Sequence, residues 1–104
     1  MQAQEYPVEH FRLMTRLAED LRSLPAQIEE HEYSYSTFGS WCTTVRRRGH
    51  LFRIIFDGKE LEVRLDREIK GSKTEQSEDL CALPTTGQDL PVVITEIVAR
   101  LRAV

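Results

Sequence analysis

With 104 residues, 40% of them apolar, the chain holds enough material for one compact core and too little for two. Its formal net charge of −3 argues against a protein that holds nucleic acid by overall positive charge. No apolar run is long enough to span a bilayer and the first residues lack the order of a secretion signal, so the expected setting is cytoplasmic.

The first expected element is a helix. Between Pro7 and Leu24 the apolar residues Val8, Phe11, Met14, Leu17, Leu21 and Leu24 recur at three- and four-residue steps, and Pro7 suits a first helical turn. Pro25 stops it. The following Glu29-Glu30-His31-Glu32 reads as a solvated acidic loop, and Tyr33 to Gly39 as the start of a long first strand. Alternation puts Tyr33 and Tyr35 on the core side and Phe38 outward, unless a bulge at Gly39-Ser40 reverses them. If that strand lies at the sheet edge, its unpaired backbone offers a site for a partner strand.

The most specific pattern lies between Ser40 and Asp66. With Arg48-Gly49 at a hairpin tip, Val45 faces Phe52, Thr43 faces Ile54 and Trp41 faces Phe56. With Asp57-Gly58 as a second two-residue turn, Ile54 faces Leu61 and Phe52 faces Val63. Both hairpins select the same buried face, Trp41, Val45, Phe52, Ile54, Phe56, Leu61 and Val63, with Thr43 as its polar member. A one-residue slip would turn all of them over. Lys70 to Asp89 reads as a long polar loop whose apolar residues are confined to Leu80–Leu83. A last helix is expected over Leu90–Arg102, with Asp89 as N-cap, Pro91 in the first turn and Ile94, Ile97, Val98 and Leu101 on one stripe; the β-branched run Val92–Thr95 would also suit a strand.

These elements predict a single α+β domain over residues 1–104. It has two layers: an N-terminal helix, a three-stranded antiparallel meander, and a C-terminal helix packed on one sheet face.

Two features bear on function. Arg46, Arg47, Arg48, His50 and Arg53 gather at one hairpin, while acidic residues gather elsewhere. On the outward sheet face Leu51 and Ile55 stand with Cys42 amid charged neighbours, with Arg53 expected opposite Glu62. The expected contact residues are therefore Arg46, Arg47, Arg48, Leu51, Arg53 and Ile55, serving a protein partner or a second copy of the chain, in the manner of an inhibitor, chaperone or adaptor. The alternative is nucleic-acid binding through the same arginines. The element order is similar to that of double-stranded RNA-binding domains, but Thr85-Thr86-Gly87-Gln88-Asp89 stands where those domains carry lysines, and Asp89 would repel phosphate.

An enzyme is the third reading. Cys42 has Ile55 opposite it and His50 at the far end of the hairpin, and so reads as a structural thiol. His31 among its glutamates lacks metal-ligand spacing, and His10 reads as surface or packing. The two cysteines, Cys42 and Cys81, fit reduced thiols. No catalytic residue, metal site or cofactor is expected.

Overall fold

The computed structural model describes residues 8–34, 36–69, 77–87 and 89–104. Helix α1 (Val8–Arg22) is followed by five strands, β1 (Gln27–Ser34), β2 (Ser40–Arg47), β3 (His50–Asp57), β4 (Glu62–Glu68) and β5 (Ser77–Pro84), and by helix α2 (Leu90–Arg102). The strands form one antiparallel sheet in the order β1-β2-β3-β4-β5. Both helices pack on one face of it. The class is the α+β one expected, but the sheet has five strands instead of three.

Both additional strands are edges with weak apolar patterning. In β1 the inward positions are taken by His31 and Tyr33, which pair with Thr43 and Trp41, so a buried row reads as polar. The segment expected to be a loop is thus a strand, and a register shift between Ile28 and Glu30 further hides its period. In β5 a shift opposite Leu65 and Asp66 lets the successive residues Leu80 and Cys81 both reach the core, which breaks strict alternation. That strand falls inside the expected 70–89 loop, of which residues 70–76 and 88 lie outside the described residues. Glu30 and Glu32 on β1, and Glu78 and Asp79 on β5, are charges of the kind that discourage pairing with foreign strands. The expected edge, β2, is instead flanked by β1 and β3.

The β2–β3 register is as expected, with Trp41 opposite Phe56, Thr43 opposite Ile54 and Val45 opposite Phe52. Arg48 and Gly49 both have positive φ, +52° and +78°, as a type I′ turn requires. The β3–β4 register differs. Ile54 meets Leu65 rather than Leu61, and Val63 meets Phe56 rather than Phe52. The slide is even, so Val63 stays on the buried face and Leu65 joins it, while Leu61 is carried into the turn and is exposed. Gly58 does not have positive φ; Leu61 does, at +54°. The Asp57 carboxylate accepts from the backbone N–H groups of Lys59 and Glu60 at 3.0 Å, which opens the turn to four residues.

A different contact demands glycine at position 58. A Cβ there would lie 2.0 Å from the backbone oxygen of Phe38. The 36–39 turn rests directly on the β3–β4 turn, and the Gly58 N–H donates to Ser40 Oγ at 2.9 Å. This turn interrupts the long first strand that was expected, with Phe38 and Gly39 at φ of +56° and +72°. Tyr33 faces inward as expected and Phe38 is exposed; Tyr35 lies outside the described residues.

On α1 the buried stripe is His10, Leu13, Leu17 and Leu21, continued by Leu24 in the turn that follows, with Met14 partly covered and Val8 and Phe11 outside it. Positions 10, 13, 17, 21 and 24 follow the helical repeat as well as the expected set; a histidine occupies one of them and masks the face. Helix α2 spans the expected residues and buries Val93 in addition to Ile94, Ile97, Val98 and Leu101. Asp89 holds the N-cap position without a side-chain cap hydrogen bond. The β-branched run is helical because burial of Val93 and Ile94 outweighs its small propensity deficit. Among the described residues no helix is long and apolar enough to cross a membrane.

Candidate functional site

The six expected contact residues are divided by the structure. Arg47 points inward and is 4% exposed. Its guanidinium donates to the carbonyls of Leu101 and Val104 at 3.1 and 3.0 Å, closing the C-terminal end of α2, where carbonyls lack intrahelical donors. Its burial, and the charges of Arg48 and Arg102, pull its pKa below the usual value. Arg46 donates from Nε to Glu29 at 2.6 Å. Arg48, at the exposed tip, makes no ion pair among the described residues. The arginine run is thus one buried helix cap, one paired surface cation and one solvated cation.

Leu51, Arg53 and Ile55 do share the helix-free face and are half-buried there. The β3–β4 slide changes their neighbours. Arg53 stands opposite Asp66, 3.9 Å from its carboxylate, instead of Glu62; Ile55 lies between Cys42 and Arg64. Asp66 is 5% exposed, and its Oδ1 has no hydrogen-bond partner. Burial, and then the neighbouring Asp79, push its pKa up against the pull of Arg64 and Arg53. At the β1 edge a hydrogen bond with Glu32, and that residue's charge, raise the pKa of Glu30. Burial raises the Cys42 thiol, so it favours the protonated form over the nucleophilic thiolate. Cys42 and Cys81 are both free.

A second constellation lies at the opposite end of the sheet from the arginine tip. His10 and His31 face each other with Nε2 atoms 3.0 Å apart, and His31 Nδ1 is 2.7 Å from Thr43 Oγ1. One ring must donate and the other accept, since two protonated rings would oppose N–H to N–H. Burial first, and the charge of His31 second, lower the His10 pKa to about 4; burial also lowers that of His31. Both rings are neutral at pH 7. Thr43, expected as the tolerable polar member of the buried face, is the end of this chain.

Tyr33, Trp41 and Phe56 gather around these histidines, with Tyr33 4.4 Å from His10 by ring centroids and Trp41 6.2 Å from Phe56. Together with Phe38, Arg12 and Arg16 they line a concavity of about 550 Å³ closed by Leu90 and Pro91 at the start of α2. Sequence reasoning left this site unread because its residues come from α1, three strands and α2. The signal available was the helical spacing of His10 with Leu13 and Leu17. Among the described residues no group of three or more His, Cys, Asp or Glu side chains is arranged to hold a metal ion. No family model, curated protein or solved structure gives a significant match to this chain.

Proposed function

We propose that this protein is a cytoplasmic protein-binding module, acting by binding and not by catalysis, and that its contact surface is the helix-free face of the sheet around Leu51 and Ile55. The observation that carries this reading is that α1 and α2 pack on the same side of five strands, leaving the other side without a covering element among the described residues. At its centre Leu51, Ile55 and Cys42 are half-buried. Around them Arg46–Glu29, Arg53–Asp66 and Arg64–Glu62 form a rim of mixed charge. An apolar centre within a polar rim suits a protein surface, either another chain or a second copy of this one. Because these arginines already face carboxylates, the apolar centre supplies the affinity and the rim sets the register. Two reduced thiols agree with the proposed compartment.

The nucleic-acid alternative draws on less. Arg47 is committed to α2 and Arg46 to Glu29, which leaves Arg48 alone at the tip.

Leu51→Asp with Ile55→Asp tests the reading, because both side chains lie outside the helix-packed core. The expected result is a near-native melting temperature, with loss of self-association in sedimentation or of a stoichiometric partner retained by the tagged wild-type chain after nuclease treatment. Unchanged assembly and capture would remove this face from consideration. Retention that vanishes on nuclease treatment and on Arg48→Glu would favour nucleic acid.

A further inference from the structure

The end of the sheet away from the arginine tip carries an electrostatic imbalance. Both helices begin there: His10 of α1 packs on Tyr33 and Trp41, and Leu90 of α2 closes the same concavity. Their C-terminal ends lie at the other end, where Arg47 reaches Leu101 and Gln27 pairs with Arg46. The partial positive charge at the start of α2 faces the concavity, with the Asp89 carboxylate at its N-cap position. Arg12 and Arg16 add two full positive charges one helical turn apart in the N-terminal part of α1. A like-charged pair at that spacing is unfavourable, more so at the positive end of the helix dipole. Neither has an ion-pair partner among the described residues, although five other arginines do.

The apolar side of the same concavity is equally uncompensated. Phe38 is 68% exposed and sits at φ +56°, a conformation that a bulky side chain adopts only when neighbours impose it. Here the neighbour is Gly58, against which the Phe38 backbone rests. The fold thus holds an exposed aromatic ring at the mouth of a concavity already walled by Trp41, Phe56 and Tyr33. Its volume of about 550 Å³ lies within the range of small-molecule sites and exceeds what one amino-acid side chain fills.

We propose that this concavity binds a small planar aromatic carboxylate, with its ring between Phe38 and the Trp41–Phe56 wall and its carboxylate on Arg12 and Arg16. Guanidinium groups match a carboxylate in bidentate geometry, and aromatic walls favour a flat ring over an aliphatic chain. The neutral His10 ring contributes a polar edge without adding a third cation. This site is separate from the sheet face proposed above and does not depend on it.

The experiment is a titration of the 15N-labelled full chain with indole-3-acetate, run in parallel with indole alone and acetate alone. Saturable shifts are expected at the Trp41 indole N–H and the Phe38 and Gly39 amides, with each fragment binding at least about tenfold more weakly than the acid. Arg12→Gln and Arg16→Gln, both at exposed helix positions, should each weaken binding about tenfold without lowering the melting temperature. Phe38→Ala should weaken indole-3-acetate and indole alike. Absence of saturable shifts up to about 10 mM acid overturns the proposal, as does equal affinity of the wild type and the Arg12→Gln/Arg16→Gln double variant.

Discussion

The two ends of the sheet are built on opposite plans. At the Arg48–Gly49 end a two-residue turn sets its own geometry, and the buried Arg47 side chain donates to the backbone carbonyls of Leu101 and Val104 at the end of α2. At the other end Phe38 and Leu61 are held at positive φ, two turns lean on each other through Gly58, and a pair of neutral histidines occupies core positions. One end closes the fold with local rules. The other leans two turns on each other and sets aromatic rings and two arginines around a concavity, a combination that accompanies binding sites more often than it does plain structural ends.

The contrast is sharpest at the two glycines. Gly58→Ala should destabilise the domain by about 3 kcal/mol, since its Cβ would overlap the Phe38 backbone and force two turns apart. Gly49→Ala should cost only about 1 kcal/mol, the penalty of positive φ for a side chain. Urea denaturation of both variants checks this, and a Gly58→Ala loss no larger than that of Gly49→Ala would show that the close approach of Phe38 does not require glycine at position 58.

Arg47→Met keeps the apolar stem and removes the bonds to Leu101 in α2 and to Val104 beyond it, with an expected loss of about 2 kcal/mol and faster amide exchange in the last turn of that helix. An unchanged last turn would show that this end needs no such cap.

The histidine end should be the acid-sensitive one. The folded-state His10 pKa, about 4, lies below the ordinary 6.5, so between those values the unfolded chain binds the proton and the folded one does not. Stability carried by the neutral ring is complete above pH 6.5 and is lost as pH falls toward 4, by about 2 kcal/mol once solvent screening of the ring is allowed for. Asp66 acts in the opposite sense: its raised pKa makes its contribution largest in acid and smaller as pH rises. His10→Gln should flatten the denaturation midpoint between pH 6.5 and 4. An unaltered profile would assign the acid sensitivity elsewhere.

The smallest effects concern residues at positive φ. Leu61→Gly and Arg48→Asn should each stabilise by about 0.5 kcal/mol, because both replacements tolerate the left-handed region better. Thermal melts resolve changes of that size, and a loss at Leu61 would show that its partly covered side chain outweighs the relief.

Periodicity and turn chemistry by themselves determined α1, α2, the β2–β3 hairpin and the inner face of β2, β3 and β4. Each of these depends on residues close in sequence, and the even slide of β4 keeps the parity that turns Val63 inward while it exchanges Leu61 for Leu65 in the core. Tertiary structure decided everything that depends on approach between distant segments. Gly58 reads as a turn glycine but serves a contact with Phe38, so the turn is longer and Leu61 leaves the core. The edge strands β1 and β5 carry polar inward residues or a bulge, so they become strands only because β2 and β4 present free backbone to them. Arg47 reads as the centre of a basic patch until α2 ends beside it and turns the carbonyls of Leu101 and Val104 toward its guanidinium. His10 and His31 lie 21 positions apart, and what they do follows from burial against each other, a property no spacing encodes.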